Sequence, residues 1–368
     1  MKILVTGAKG FIGRNLISVL EHQTNHEILS CDVETDVETL DKYCENAEFV
    51  FHLAGINRPD NVDDYVKGNF GFTELLISLL KSHNNYCPIV LSSSIQAVLD
   101  NPYGRSKLMG ENTLLEYSNE TAARVIIYRF QNVFGKWSRP NYNSVVSTFC
   151  HNIANGVEIN IHNPLTEIEL IYIDDIVKEL VKLLSTRNLK TGYYQITPSY
   201  NVCIGDLANL LLKFRDSRLD LSLPNLLNGF EKKLYSTYLS FLPTDSFNYK
   251  LKMNNDERGS FTEFIRTVEK GQFSINLSKP GVVKGNHWHS SKVEKFLVIK
   301  GEGVIRLRKL QTEKIIEYFV NDSQYDVIDI PPGYTHNIEN LGKNDMITLM
   351  WVNEPYDIDA PDTFFEKV

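Results

Sequence analysis

The hydrophobic positions follow two regimes that meet near residue 250. In the first, the short apolar runs "KILVT", "EILSCD", "EFVFHLAG", "CPIVLSSS" and "ARVIIYRF" alternate with longer stretches of helical spacing. After the first run, Phe11, Ile12, Leu16, Val19 and Leu20 recur at intervals that predict a helix. Alternation of this kind predicts a doubly wound parallel sheet of the Rossmann type, here over residues 1–245. From about residue 253 the helical spacing vanishes. "GSFTEFI", "QFSINLS", "KFLVIK", "GVIRLRKL", "KIIEYFV", "YDVIDI" and "DMITLMWV" are short strands separated by Gly, Pro and Asn turns. That pattern predicts an all-β barrel or jelly roll over residues 246–368, with no obvious linker before it. A length of 368 residues also exceeds one ordinary core and favours two domains, so the expected class is α/β followed by β.

Composition removes several classes. The chain is 42% hydrophobic and 23% charged with both signs interspersed, as in a globular protein. A formal net charge of −8 offers no basic face for nucleic acid, and no such partner is expected. No apolar run approaches the roughly 18–20 residues that span a bilayer, so no membrane insertion is expected. Met1 leads directly into the first strand, which leaves no room for a secretory signal before the first glycine. Cys31, Cys44, Cys87, Cys150 and Cys203 are scattered without a CxxC pair and are expected to be thiols in a reducing cytoplasm.

Candidate chemistry begins at "GAKGFIG", between the first strand and the first helix. Gly7 permits the tight turn, Gly10 lets backbone approach a pyrophosphate, and Gly13 lets helix lie close to strand. The helix start at Phe11 and Ile12 presents free N–H groups to the anion. Ligands in such sheets gather at the carboxyl ends of strands, which adds Leu53, Ala54 and Gly55 to the expected cofactor contacts. Asp32 ends the second strand, where an acid accepts hydrogen bonds from an adenosine ribose and favours NAD. Arg14 could instead meet a 2′-phosphate, so the two residues point in opposite directions.

In "LSSSIQAVLDNPYGRSK", Tyr103 and Lys107 are four apart and would share a helix face. A neighbouring ammonium stabilises a phenolate and makes the phenol a better proton donor, with Lys107 also within the cofactor set. Ser94, at the end of the preceding strand, is placed to hydrogen-bond a substrate oxygen. Together "TGAKGFIG", "HLAG", "SSS", "PYGRSK", "YRFQNVFGKW" and "IYIDDIV" resemble the extended short-chain dehydrogenases/reductases that act on nucleotide sugars. The resemblance implies that Asn132 sits by the sugar diphosphate. Dehydratases of that family carry an Asp-Glu pair after the catalytic serine or threonine. Here Ile95 and Gln96 follow Ser94, so reduction of a ketone is expected rather than dehydration.

In the second regime, "KGNHWHSSKVEKF" and "PPGYTHNIEN" are similar to the two cupin motifs. Gly281, His287, His289, Glu294 and Gly301 match the first, and Pro331, Gly333, His336 and Asn340 the second. Residues i and i+2 on a strand face one way, so His287 and His289 would both point inward. The resemblance implies that Glu294 and His336 complete a metal site of three nitrogens and one oxygen. Zinc is the first expectation, with manganese, iron or nickel also compatible. "NNDERGSFTEF" resembles the entry strand of cupin-fold sugar-nucleotide epimerases and nominates Arg258 for a phosphate contact, or else for an ion pair with Glu263.

A short-chain reductase fused to a metal cupin resembles the CapF-like bifunctional enzymes of bacterial capsular polysaccharide and N-acetyl-L-fucosamine precursor synthesis. The likeness extends through "RPNYNSV", "LYSTYLSFLP" and "IPPGYTHNIENLG". It implies a UDP-linked 4-keto-6-deoxy-N-acetylhexosamine substrate. The cupin would epimerise C3, and the reductase would reduce C4, giving UDP-2-acetamido-2,6-dideoxy-L-talose. It further implies NADPH, with NADH the alternative, and a cytoplasmic homodimer. The rival expectation is a plain 4-ketoreductase whose cupin only binds sugar or dimerises.

Overall fold

Strand β1 shows how the first regime becomes a sheet buried on both faces. In the computed structural model, which describes residues 1–368 except 248, 268–269, 290–291, 311 and 360, its Ile3, Leu4 and Val5 are all 0% exposed. Ile3 and Val5 pack with Leu16 and Leu20 of the helix Phe11–Gln23 and with Ile176 and Leu180 of the helix Ile173–Leu183. Leu4 points the other way, into a core with Leu40, Leu76, Leu80 and Leu114 from three further helices. Period-two alternation therefore feeds two cores, with helices on both sides.

The first unit contains β1 (Lys2–Thr6), β2 (Glu27–Cys31), β3 (Phe49–His52), β4 (Ile89–Ser94), β5 (Val125–Phe130), β6 (Asn132–Phe134), β7 (Glu167–Tyr172), β8 (Gly192–Tyr194) and β9 (Tyr200–Cys203). The main sheet runs β2-β1-β3-β4-β5-β8 and every pairing in it is parallel, while β6-β7-β9 form a small mixed sheet. The expected Rossmann-like parallel sheet is present. Strand order reverses between β1 and β3, which opens a crevice at their carboxyl ends. His52 ties the two strands together there: Nδ1 lies 2.8 Å from Thr6 Oγ1 and Nε2 lies 2.9 Å from Thr73 Oγ1. Burial pushes its pKa down to about 3, so this ring is neutral.

The second unit contains β10 (Asn254–Asp256), β11 (Gly259–Thr267), β12 (Gly271–Ser278), β13 (Val283–Trp288), β14 (Glu294–Lys300), β15 (Glu302–Lys309), β16 (Ile315–Asn321), β17 (Val327–Ile330), β18 (Tyr334–Asn340), β19 (Met346–Val352) and β20 (Phe364–Phe365). They form two antiparallel sheets, β10-β11-β12-β19-β14-β17 and β16-β15-β18-β13-β20. Phe296, Val298, Ile328, Ile330 and Met346 of the first meet Ile305, Leu307, Val320 and Ile338 of the second. Strand β12 inverts the usual arrangement. Its Gln272, Ser274, Asn276 and Ser278 are buried, while Phe273 on the opposite face is 47% exposed. The inner face of that strand lines a cavity rather than an oily core.

The chain divides into Met1–Leu212 with Gly229–Pro243, and Lys213–Asn228 with Thr244–Val368. The segment 213–228, expected in the first domain, therefore groups with the second unit. The reason is backbone pairing: Leu223 N–H donates to Arg266 O at 3.1 Å, and Arg266 N–H donates to Leu221 O at 2.7 Å. No helix among the described residues is long and apolar enough to cross a membrane.

Candidate active site and metal centre

The glycine turn is shaped by what its residues lack. Gly7 has φ +67°, and a Cβ there would lie 2.8 Å from Ala54 Cα. A Cβ on Gly13 would lie 2.2 Å from Gly7 O, a contact no side chain tolerates. Gly10 caps the helix Phe11–Gln23 without a side-chain hydrogen bond, so the first-turn N–H groups remain available to an anion. This turn opens on a cavity of about 1100 Å³ lined by Gly7, Gly10, Phe11, Ile12, Gly13 and Arg14, and across from them by Leu53 and Gly55. The cradle fits a dinucleotide pyrophosphate. Asp32 follows β2 and accepts the Lys9 backbone N–H at 2.6 Å. The Arg14 guanidinium lies 5.4 Å from the centre of the Trp137 ring.

Ser94, Tyr103 and Lys107 line the same cavity. The helix Pro102–Thr121 begins sharply because Pro102 fits its first turn and Asn101 Oδ1 accepts the Gly104 N–H at 2.8 Å. Tyr103 and Lys107 then fall one turn apart. Lys107 is 8% exposed, and its ammonium donates to Ser92 O at 2.9 Å. Burial pushes the Lys107 pKa down to about 8, with Glu111 acting against that shift. Burial raises the Tyr103 pKa, and a hydrogen bond with Ser94 opposes it. Gly55 makes room for the ammonium, since a Cβ there would sit 2.9 Å from Lys107 Nζ. Asn132 also lines the cavity, its amide donating to Glu169 O at 3.1 Å.

Glu111 escaped the sequence reading. It is 0% exposed, accepts from Arg129 Nε at 2.9 Å and from Tyr193 OH at 3.0 Å, and is also hydrogen-bonded by Ser93. Its spacing was the available signal: Tyr103, Lys107 and Glu111 succeed one another at i, i+4 and i+8 on one helix. Arg58 and Arg139 in the cavity wall carried no comparable signal.

In the second unit His287, His289, Glu294 and His336 come together, with one ligand atom from each lying within 4.8 Å of the others. His287 is paired with His336 across β13 and β18, His289 follows the end of β13, and Glu294 opens β14 in the facing sheet. His289 Nδ1 lies 2.6 Å from Asp362 O, so this nitrogen carries the proton and Nε2 presents a lone pair. Yet His289 Nε2 and His336 Nε2 lie 3.2 Å and 3.0 Å from Glu294 Oε2, and none of these three buried atoms has a hydrogen-bond partner. Lone pairs facing a carboxylate repel unless a cation stands between them. The donor set fits a divalent metal. Burial, then His336, pushes the His287 pKa down to about 4 and keeps it neutral.

These four residues share a cavity of about 510 Å³ with Arg258 and Lys284. Arg258 pairs with Asp256 at 2.6 Å, not with Glu263, which pairs with Arg266 instead. Lys284 was not anticipated from sequence. A bulge between Gly285 and His287 breaks the alternation, so both Lys284 and His287 reach the cavity.

Comparison with known proteins shows the family to which these residues belong. The model of the NAD dependent epimerase/dehydratase family matches residues 3–203, more than half of the chain. The chain belongs to that family. Residues 254–364 match the polysaccharide biosynthesis C-terminal domain. A UDP-2-acetamido-2,6-beta-L-arabino-hexul-4-ose reductase of Pseudomonas aeruginosa is 43% identical over 364 residues, covering 99% of this chain and 98% of that protein. The crystal structure of capsular polysaccharide assembling protein CapF from Staphylococcus aureus matches with 50% identity and a TM-score of 0.94, covering 100% of both chains. CapF with the inhibitor 3-isopropenyl-tropolone matches with 47% identity and a TM-score of 0.90, again covering 100% of both chains. Among members of this family, the chain stands with nucleotide-sugar reductases and epimerases of polysaccharide biosynthesis.

Proposed function

We propose that the chain is a bifunctional nucleotide-sugar enzyme. Its second unit is a cupin that epimerises C3 of a UDP-linked 4-keto-6-deoxy-N-acetylhexosamine. Its first unit then reduces the C4 ketone with NAD(P)H, giving UDP-2-acetamido-2,6-dideoxy-L-talose. The reading is carried by one coincidence: a Ser94–Tyr103–Lys107 set on a glycine cradle and a buried three-histidine, one-glutamate cluster occur in one chain. Its full-length likeness to a hexulose reductase and to CapF supports the substrate class.

In the first unit, a dinucleotide whose pyrophosphate is held at the glycine turn would supply hydride from its nicotinamide. Tyr103 gives its phenolic proton to the ketone oxygen, Ser94 holds that oxygen by a hydrogen bond, and the Lys107 ammonium lowers the cost of the phenolate. Asn132 and Arg258 are proposed substrate contacts, one in each unit. In the second unit, His287, His289, Glu294 and His336 would hold a zinc or other divalent ion, which would supply positive charge beside the sugar. The adjacent oxygens of a tropolone make a chelating pair, and a CapF carrying such an inhibitor is in keeping with that assignment. A C4 ketone acidifies the C3 hydrogen because loss of the proton leaves an enolate. Once C4 is reduced that activation is gone. Epimerisation must therefore come first, and reduction draws it forward.

The proposed setting is the cytoplasm, where a reduced coenzyme meets a soluble nucleotide sugar. Phe273, Ile275, Leu277 and Leu349 share the outer face of a sheet in the second unit, with Phe273 47% and Leu349 38% exposed. That apolar face supports a homodimer. It equally suits the second reading, a single-activity 4-ketoreductase whose cupin only dimerises or binds sugar.

Two variants separate the readings. Tyr103→Phe should slow coenzyme oxidation about a thousandfold, the size of a lost general acid, while C3 inversion of the keto sugar persists. His336→Ala should lose C3 inversion yet still oxidise coenzyme when the C3-epimerised keto sugar is supplied, with coenzyme titration confirming that the first unit remains folded. Loss of both activities in Tyr103→Phe would sink the division of labour.

A further inference from the structure

We infer that Asp32, supported by Glu34, makes this chain select NADH over NADPH, opposite to the phosphorylated coenzyme that its family resemblance implies. The inference rests on the reading of the glycine turn as a dinucleotide cradle. A dinucleotide whose pyrophosphate lies over that turn carries its adenosine ribose to the end of β2. Asp32 is fixed there from three directions. Its Oδ2 accepts the Lys9 N–H at 2.6 Å, its Oδ1 accepts the Val33 N–H at 2.7 Å, and its own N–H donates to Thr35 Oγ1 at 3.0 Å.

A carboxylate offers about four acceptor positions, and two are engaged by these N–H groups. The remaining lone pairs match the hydroxyls of an unmodified ribose, each of which can donate. A phosphate monoester on the 2′ oxygen offers acceptors in place of that donor and brings up to two negative charges. Against Asp32 it gains no hydrogen bond and meets a like charge.

The neighbouring cations do not reverse this balance. Lys9 Nζ is ion-paired with Glu34. Arg14 lies with its guanidinium 5.4 Å from the centre of the Trp137 ring. The residue directly after Asp32 is Val33, 96% exposed and uncharged, so it contributes no cation to the rim. The cavity beside Asp32 is lined by Glu21, Asp32 and Glu34 against Lys9 and Arg14. A phosphorylated coenzyme would have to pull Lys9 from Glu34 and still face Asp32.

A purely structural role for Asp32, as a clamp on the Lys9 backbone, is the competing account. Asp32→Asn removes the charge and keeps one of the two acceptor oxygens, so either the Lys9 or the Val33 N–H loses its side-chain partner and a melting curve reads that structural share separately. The experiment is a titration of the full-length protein with NADH and separately with NADPH, followed by nicotinamide fluorescence, with a melting curve for each variant. The wild type should bind NADH at least about tenfold more tightly than NADPH, on the scale of one close like-charge contact. Asp32→Asn should shrink that ratio about tenfold even though the loss of one backbone N–H partner lowers its melting temperature slightly, and Glu34→Gln should shrink it less. Equal or tighter NADPH binding by the wild type would overturn the inference while leaving the cradle intact. An unchanged ratio in Asp32→Asn would overturn the role of the charge. Binding of neither coenzyme would instead bring down the cradle reading and this inference with it.

Discussion

The glycine turn of the first unit and the histidine cage of the second solve opposite problems. The turn receives an anion with backbone: Gly7 and Gly13 occupy positions where a Cβ would lie 2.8 Å and 2.2 Å from other main-chain atoms. The cage, as proposed, would receive a cation with side chains, and its buried His289 Nε2, Glu294 Oε2 and His336 Nε2 have no hydrogen-bond partners. One site is defined by missing atoms, the other by atoms with nothing to bind. Side-chain chemistry should therefore be nearly irrelevant in the turn, where added volume is ruinous. The cage should respond in the opposite way.

Removing the ion proposed for the cage should have the largest effect. Stripping a tightly held divalent metal should lower the melting temperature of the second unit by about 10 °C or more, because ligand binding to the native state stabilises it by mass action. Coenzyme binding should persist. Elemental analysis beside calorimetry tests this, and a metal-free protein that melts unchanged would end the contrast. Next in size is Gly13→Ala, whose new methyl must displace the Gly7 carbonyl. It should cost about 1–3 kcal/mol, the usual range for overpacking, and abolish coenzyme binding while metal content stays constant.

The smallest effect concerns His52, which is neutral and buried beneath the turn. Its pKa is about 3 in the fold against 6.5 when free. The unfolded chain thus takes up a proton as pH falls through 6.5, whereas the native ring does not until about pH 3. The stability associated with this ring is complete above pH 6.5 and is lost progressively below it. His52→Gln should lower the melting temperature at pH 7 but flatten its fall between pH 6.5 and 4. A parallel fall in both proteins would contradict the assignment.

Much of the first site was legible because its parts are contiguous. Gly7 through Gly13 lie in one turn, and Tyr103 and Lys107 in one helical turn, so local spacing carried the geometry. The four cage residues were legible through two short motifs, although the motifs did not reveal that Glu294 arrives from the facing sheet. Other features depend on contacts that spacing does not encode. Glu111 acquires its role only when Arg129 and Tyr193 close over it. Lys284 reaches the cavity because the strand bulges after Gly285, with Asn286 at φ 61°. In "QFSINLS" the period of two was visible, but only the fold shows that the polar half faces inward. Residues 213–228 join the second unit through backbone pairing with Arg266, which no side-chain pattern announces.

The central claim is that the β unit loosens a sugar C–H bond without help from the reductase. It is tested most directly by holding the 4-keto nucleotide sugar with enzyme in deuterated water, with no nicotinamide present, and following C3 by nuclear magnetic resonance. The account predicts deuterium at C3 on the timescale of turnover, retained in Tyr103→Phe and lost in His336→Ala. A C3 hydrogen that stays in place with metal-loaded wild-type enzyme would contradict it, leaving a ketone reductase joined to a β unit that does no chemistry.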